Sequence, residues 1–168
     1  MKVSPDGDKL ACVLSKDGNS EIYVLQKNGR MIKRLSNHRA IETAPSWSPD
    51  GDRIVFASDR TGMPQVYIMN DDGLNERRIT YRGGYNDSPT FAPSGDHILF
   101  VTRGGGRFNI ATVDLRGTEY RTLTNVGTNE NPHFAPDGKH IIFSSSRLGG
   151  TDLYTMDAGG RDRKSTRL

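Results

Sequence analysis

Acidic residues in repeated glycine turns are the first candidates for chemistry in this 168-residue chain. Asp6, Asp50 and Asp137 each stand between a proline and a glycine, and carboxylates in loops can bind calcium. A calcium loop needs oxygen ligands at alternating positions, and none of these turns has them. The turns therefore predict chain reversal rather than a metal site.

The remaining sequence contains no recognisable catalytic motif. The GxSxG sequence of a hydrolase nucleophile elbow does not occur. Gly104, Gly105 and Gly106 lack the third glycine and the following helix of a dinucleotide-binding loop, so they predict a flexible turn. Cys12 is the only cysteine, which excludes an intrachain disulfide and a multi-cysteine metal site. We therefore predict no catalytic residue, no bound metal and no cofactor.

The net charge of +3 comes entirely from the C-terminus. The last eight residues, RDRKSTRL, carry four cations and one anion, so the rest of the chain is neutral by count. A neutral body argues against a nucleic-acid groove. No stretch approaches the roughly 20 apolar residues of a membrane span, and residues 1–10 contain no apolar run typical of a signal peptide. We therefore predict neither a nucleic-acid partner nor a membrane-spanning segment.

An internal repeat organises the whole sequence. Its marker is a turn of proline, one polar residue and glycine, whose glycines recur at steps of 44, 44 and 43 residues at Gly7, Gly51, Gly95 and Gly138. Each turn is followed by a short run of β-branched and aromatic residues, which predicts a strand covered on both faces. In this run Cys12 takes the place of a phenylalanine, so we expect it to be a buried small hydrophobe.

Each copy of the repeat contains three more short strands. One follows at Ile22–Leu25 and its equivalents, the next is centred on Leu35, and the last precedes the proline turn, as at Trp47. Four short strands in roughly 43 residues, with no helical period between them, are typical of one propeller blade. The sequence predicts an all-β fold, a β-propeller region of four blades with four antiparallel strands each, at about 1–36, 44–80, 88–124 and 131–168.

The two edges of such blades differ in their sequences. Alternate connections of an up-and-down meander lie on the same edge, so the glycine turns share one edge and the variable polar loops share the other. We expect the variable edge to bind a partner, because rigid folds carry functional residues on variable loops. The alternative is that its charges only pair with one another and with water. Its candidates are the segments 42–44, 86–88 and 129–131 and the cations Lys16, Arg60, Arg103 and Arg147.

The histidines do not form a predicted metal site. A metal-dependent lyase needs several converging imidazoles, because neutral histidine is a natural metal ligand. His97 and His140 follow turn glycines on the opposite edge, and His38 lies in a loop. Only His133 falls near the expected central channel, and one imidazole cannot make such a site.

Several phrases of the sequence resemble the repeats of the TolB family, among them SPDGDKLA, SKDGNSEIYV, PSWSPDGDRIVFASDRTGMPQVYIMN and DGLNERRIT. The similarity runs from Ser4 to Leu168. It implies a six-bladed propeller behind a small α/β domain, a periplasmic location in the Tol-Pal system of the cell envelope, and no catalysis. It also implies binding to the lipoprotein Pal and contacts with other Tol components.

The resemblance also implies which residues meet the partner. In the family, Pal docks over the central channel on the face that carries the loops ahead of the innermost strands. The acidic residue that often precedes the proline in such repeats is absent here, and acids stand one or two residues earlier. With Arg60, Arg103 and Arg147 from the loops, the predicted protein-binding residues are Glu42, Thr43, Ala44, Asn86, Asp87, Asn129, Glu130 and His133.

The sequence departs from the family in extent, since it contains four blades and neither the N-terminal domain nor the export signal. Three arrangements are compatible with this: a fragment of a larger protein, four blades that close on themselves, or two chains that pair through open strand edges. Two other functions also stay open. One is an accessory propeller of a larger peptidase or lyase, and the other is a self-associating structural repeat array.

Overall fold

The structure is a computed structural model that describes residues 1–16 and 18–159, together with the backbone of the strand at 166–167. Gly160 and the side chains of the basic C-terminal segment that carries the net charge lie outside the described residues. Within the described residues there is no helix, and hence none long and apolar enough to cross a membrane.

The chain forms four antiparallel sheets of four strands, and the strands of each sheet follow one another in chain order. We call these sheets blades 1 to 4. Blades 1 and 2 consist of β1 (Lys2–Val3), β2 (Lys9–Leu14), β3 (Glu21–Gln26), β4 (Met31–Arg34), β5 (Glu42–Trp47), β6 (Arg53–Ser58), β7 (Gln65–Asn70) and β8 (Arg77–Arg78). Blades 3 and 4 consist of β9 (Asn86–Phe91), β10 (His97–Gly104), β11 (Arg107–Asp114), β12 (Arg121–Thr122), β13 (Asn129–Phe134), β14 (His140–Ser145), β15 (Asp152–Asp157) and β16 (Thr166–Arg167).

The predicted all-β, four-bladed arrangement is confirmed, with two corrections to strand boundaries. The first strands of blades 2 to 4 begin at Glu42, Asn86 and Asn129, two residues before the expected blade starts at about 44, 88 and 131. The fourth strand of blade 1 ends at Arg34. Leu35, at which the predicted strand was centred, lies just beyond this end. Its N–H still donates to the Ile22 carbonyl of the neighbouring strand at 2.8 Å, so one further backbone hydrogen bond follows β4.

The proline–glycine turns connect the first and second strands of each blade, as the sequence predicted. In blade 2 the Gly51 N–H donates to the Ser48 carbonyl at 3.0 Å, and the Ser48 hydroxyl accepts the Arg53 N–H at 2.9 Å. The Ser48 hydroxyl, the Asp52 N–H and Arg53 together lower the pKa of Asp50 to about 2. The aspartate is therefore a part of the turn and is already occupied by protein donors.

The apolar core lies between neighbouring blades. Ile22 and Val24 of blade 1 pack against Ile54 and Phe56 of blade 2, and the other face of blade 2 packs in the same way on blade 3. A third cluster joins blades 3 and 4. Strands of the middle blades are thus buried on both faces, which explains their continuous apolar runs.

Cys12 is buried, and burial raises the pKa of its thiol, in agreement with the expected structural role.

Blade 4 differs from the middle blades on its far face. There Ile142 and Leu153 are 36% and 54% exposed, whereas the residues at the same repeat positions in blade 3, Leu99 and Ile110, are fully buried.

Two glycine turns between third and fourth strands press against the preceding blade. Gly73 has a φ of 83°, and a Cβ placed on it would lie 2.7 Å from the Leu35 carbonyl oxygen. Gly117 has the same relation to Ile79, with a φ of 82° and a separation of 2.7 Å. Gly29 occupies the same position in blade 1, with a φ of 87°, but has no atom within 4 Å. A side chain at Gly73 would therefore have to adopt a left-handed backbone and would also clash with blade 1. A side chain at Gly29 would face only the left-handed backbone.

We expect Gly73→Ala to lower the free energy of unfolding by about 3 kcal/mol, because the left-handed backbone costs ~1 kcal/mol and the clash with Leu35 adds the rest. Urea denaturation followed by circular dichroism measures it. Gly29→Ala is the matched control, with an expected loss of about 1 kcal/mol. Equal losses for the two variants would contradict the close approach between blades 1 and 2.

Candidate functional site

The connections between second and third strands and those between blades lie together on one edge of the molecule, which we call the loop edge. Backbone hydrogen bonds join the two sets of loops: Asp59 N–H to the Ile41 carbonyl at 3.3 Å, and Arg103 N–H to the Tyr85 carbonyl at 3.0 Å. The glycine turns occupy the opposite edge, which we call the turn edge. The variable segments of the sequence are therefore held against one another.

Each of β5, β9 and β13 contains a bulge just after it leaves the loop edge. In β5 the pairing with β6 shifts between Thr43 and Ser46, so Ala44 and Pro45 together lie opposite Phe56. Two residues facing one is the arrangement of a β-bulge. The same shift occurs in β9 and β13, opposite Phe100 and Phe143.

The bulges hold non-glycine residues in a left-handed conformation. The φ angles are 51°, 55° and 53° at Ala44, Ser88 and Asn131, each directly before a proline. Residues before proline normally adopt extended backbone, and a left-handed non-glycine residue costs of order 1–3 kcal/mol. The same cost recurs in three successive blades, so the surrounding structure imposes it each time.

The three bulges border one cavity of about 210 Å³, to which the inner strands of all four blades contribute. Besides the bulge residues, Lys2 of blade 1 and His133 of blade 4 line it. Partial burial and the positive charge of Lys2 lower the pKa of His133. The cavity thus combines proline and backbone surface with one lysine and a histidine that favours its neutral form.

A second cavity, of about 160 Å³, lies between blades 3 and 4 on the loop edge. Tyr85 and Phe108 meet edge to face there, with ring centroids 5.6 Å apart. The Tyr85 hydroxyl donates to the Asp87 carboxylate at 3.0 Å. Burial and the charge of Asp87 raise the pKa of Tyr85 to about 12. Glu130 also lines this cavity, so its carboxylates and aromatic rings face a common space.

The structure divides the predicted binding residues into an exposed and a buried group. The accessible ones, fully or in part, are Thr43, Ala44, Asp87, Arg103, Glu130 and His133. Glu42, Asn86 and Asn129 have no exposed surface. In the folded chain the buried three cannot contact a partner directly, although the sequence placed them among the candidates.

Arg60 and Arg147 are part of the blade rather than free loop cations. The Arg60 guanidinium lies 4.5 Å from the centre of the Tyr67 ring and donates to Ser58, Glu42 and Glu76. Its side chain is 15% exposed. We call this arrangement, in which a guanidinium on a tyrosine ring holds the first residue of the inner strand, the arginine latch.

Blade 4 repeats the arginine latch with a neutral partner. The Arg147 guanidinium lies 4.7 Å from the centre of the Tyr154 ring and donates to Ser145 at 3.0 Å and to Asn129 at 3.1 Å. The Arg60 and Arg147 side chains therefore fix the start of the inner strand from behind the loop edge.

Blade 3 lacks the arginine latch, and Tyr120 replaces it. The repeat position of Arg60 is Gly104, and Arg103 beside it lies exposed, 5.7 Å from the centre of the Phe108 ring. The Tyr120 ring packs edge to face on Phe100 at 5.5 Å. Its hydroxyl lies 2.8 Å from Thr102 Oγ1 and 3.4 Å from Asn86 Oδ1, the positions that the guanidinium bonds in the other blades.

Sequence reasoning grouped Arg103 with Arg60 and Arg147 and missed Tyr120. The available signal is that the third copy of the repeat differs from the second and fourth at two positions together. It has Gly104 where they have arginine, and Ala111 where they have tyrosine. Ala111 leaves the space that the Tyr120 ring fills. Only the three-dimensional position of residue 120 identifies it as the substitute.

Within residues 1–16 and 18–159 no group of three or more histidine, cysteine or acidic side chains is placed so that it could hold a metal ion. His97 and His140 pair with Asp96 at 3.1 Å and Asp137 at 2.9 Å on the turn edge. His133 is on the opposite side, at the central cavity. The loop edge and its two cavities therefore provide contact surface, hydrogen-bonding groups and charged side chains to which another molecule could bind.

Comparison with known proteins gives a consistent result at the level of sequence and fold. The family model of the TolB beta propeller domain matches residues 2–167. Among solved structures, TolB from Acinetobacter baumannii superimposes with a TM-score of 0.83 at 28% identity, covering 99% of this chain and 43% of that one. The putative TolB from Agrobacterium tumefaciens gives 0.83 at 27% identity, covering 99% of this chain and 64% of that one.

The chain therefore spans less than two thirds of the length of either TolB structure. A puromycin hydrolase is similar with a TM-score of 0.77 at 16% identity, covering 99% of this chain and 28% of that one, a likeness of fold alone. The comparison with curated proteins gave no match. Because the family model matches nearly every residue and the repeats form TolB-like blades, this chain belongs to the TolB β-propeller family.

Proposed function

We propose that this chain is a non-enzymatic protein-binding propeller that receives a segment of its partner at the central cavity. The observation that carries the proposal is the convergence of three strained bulges on one cavity of about 210 Å³. Backbone strain of this kind is retained at ligand-binding sites, where it pre-organises contacts. Exposed Ser88 and Asn131 present polar groups beside the proline surface, which suits a peptide segment.

We further propose a Pal-like lipoprotein as the partner, acting within a periplasmic Tol-Pal system together with other Tol components. Family membership supports this choice, because Pal binds TolB proteins over the face that corresponds to the loop edge. The binding residues would be the accessible members of the predicted set: Thr43, Ala44, Asp87, Arg103, Glu130 and His133. Glu42, Asn86, Asn129, Arg60 and Arg147 would act on binding only by holding the inner strands in place.

Glu130→Arg tests the position of the binding surface. Glu130 is exposed on the loop edge, lines the second cavity and directly precedes Asn131 of the central cavity, so reversing its charge is expected to weaken binding of a Pal-like domain at least tenfold, or about 1.4 kcal/mol. Calorimetric titration of the 168-residue chain measures it.

The matched control is Glu119→Arg, which makes the same charge change on the turn edge, where the Glu119 carboxylate bonds only to Arg121, at 3.2 Å, among the described residues. Its affinity is expected to equal that of the unchanged chain. Equal loss in both variants would contradict the loop edge as the site, and absence of binding by the unchanged chain would contradict the proposed function itself.

A second prediction separates support from contact. Arg147→Met removes the guanidinium from Tyr154, Ser145 and Asn129, so the free energy of unfolding is expected to fall by about 2 kcal/mol. Arg103→Met makes the same replacement at an exposed arginine and is expected to change it by less than about 0.5 kcal/mol. Urea denaturation provides the comparison, and equal destabilisation of the two variants would show that the arginine latch is not structural.

A further inference from the structure

A polar side-chain contact crosses the junctions between blades 2 and 3 and between blades 3 and 4, from the first residue of the inner strand to one repeat position in the third strand of the preceding blade. Between blades 2 and 3, Asn86 Nδ2 donates to Gln65 Oε1 at 2.8 Å. Between blades 3 and 4, Asn129 Nδ2 lies 3.4 Å from Asn109 Oδ1. Both junctions therefore need a hydrogen-bond donor at the start of the inner strand.

The junction between blades 1 and 2 has acids at both of these positions. Glu21 and Glu42 are each fully buried. Glu21 has a complete set of donors: Ser36 Oγ at 2.6 Å, Arg34 at 2.8 Å, Asn19 at 3.0 Å and the His38 N–H at 3.0 Å. Burial alone would raise the pKa of Glu21, but the hydrogen bonds from Ser36 and Arg34 outweigh it and lower that pKa. Glu21 is therefore the ionised member of the pair.

Glu42 has donors on one oxygen only. Its Oε1 accepts from Arg60 and, at 3.5 Å, from Ser58, whereas Oε2 is buried and has no hydrogen-bond partner among the residues that the structure describes. Ser36 lies beside the Glu42 carboxyl but has a single hydroxyl hydrogen, which it gives to Glu21. An ionised carboxylate cannot donate, so only a proton on Glu42 can satisfy Oε2.

The balance of charged side chains at this junction also favours a protonated Glu42. From blade 2 they are Arg60 and Glu76, and from blade 1 they are Glu21 and Arg34. With Glu42 ionised, these described groups would carry three negative and two positive charges. Two other titratable side chains of this region bond elsewhere: Asp59 Oδ1 accepts the Ile41 N–H, and His38 Nδ1 accepts the Ala40 N–H.

The arginine beside Glu42 does not need that carboxyl as its counter-ion. Arg60 already bonds to the Glu76 carboxylate. In blade 4, Arg147 makes the equivalent bond to the uncharged amide oxygen of Asn129. A neutral Glu42 therefore leaves the arginine latch intact, with its carbonyl oxygen as the acceptor.

We propose that Glu42 binds a proton in the folded protein and directs it from Oε2 to the Ser36 hydroxyl, so that the junction of blades 1 and 2 is a proton-binding site. The proton takes the role that the asparagine amides play at the other two junctions. The site lies at the first residue of β5, adjacent to Thr43 and Ala44 of the loop edge. Loss of the proton would add a buried negative charge directly behind that surface, beside an arginine that also pairs with Glu76.

The pH dependence follows from the direction of the shift. Burial raises the pKa of Glu42 above its ordinary value of 4.5, against the opposing charge of Arg60. The folded state then holds a proton that the unfolded state has released. The stabilising contribution of Glu42 is full below pH 4.5, falls as the pH rises through the folded-state value, and is constant above it.

Two measurements on the 168-residue chain test the proposal. The first is ¹³C NMR of the Glu42 side-chain carboxyl carbon in the unchanged protein, titrated from about pH 4 to about pH 9. We expect a titration midpoint above 4.5, and a lower midpoint in Glu76→Gln, because removing the Glu76 charge favours ionisation of Glu42. A midpoint at or below 4.5 in the unchanged chain would overturn the proposal, whether or not any variant folds.

The second measurement compares unfolding of Glu42→Gln with that of the unchanged chain over the same pH range. Gln supplies a permanent donor, so the ratio of the two unfolding equilibrium constants should change by up to about tenfold per pH unit through the titration, in favour of the variant at high pH. Glu119→Gln, an exposed replacement on the turn edge, should run parallel to the unchanged chain. A Glu42→Gln variant whose pH dependence is also parallel would contradict the proton site.

Discussion

The blade arrangement depends on the polar contact that the start of each inner strand makes with the blade before it. The Glu42 N–H donates to the Ser20 carbonyl and the Asn86 N–H to the Pro64 carbonyl, at 2.9 and 2.8 Å, and the Asn86 side chain also donates to Gln65 in the third strand of blade 2. Burial of apolar surface draws blades together but has no direction. In a repeat structure each blade contacts only its neighbours, so these hydrogen bonds determine how one blade is oriented on the next.

The first residue of each inner strand must be held by a side chain that fits the space behind it and donates a hydrogen bond to it. Different repeats supply that side chain with different residues. Arg60 and Arg147 hold the inner strand through a guanidinium on a tyrosine ring, and Tyr120 does the same through its hydroxyl. The strained bulges follow directly after the held residue in each blade. Tight support behind the loop edge therefore allows the accessible residues in front of it to keep an unfavourable backbone conformation.

Part of the candidate site could be predicted from the sequence, because loop position follows from strand order. The repeat places Thr43, Asp87 and Glu130 on the edge opposite the glycine turns, and the structure has them there. Burial of Glu42, Asn86 and Asn129 could not be predicted in the same way. Polar type at a loop position normally indicates exposure, and here the preceding blade covers these residues. The left-handed backbone before the prolines also contradicts the local preference for extended structure.

The sequence by itself determined the number of blades, the strand order and the turns, because spacing, apolar runs and proline–glycine turns are local properties that every copy repeats. It also determined the family, since those local patterns extend over nearly the whole chain. Only the tertiary structure decided which polar residues are contact surface and which are internal supports. Contacts such as Tyr120 with Asn86 join residues 34 positions apart, and Glu42 faces Ser36 only after two blades have packed. Burial and the pairing of charges arise at that packing step, because they are properties of the junction between blades rather than of either segment alone.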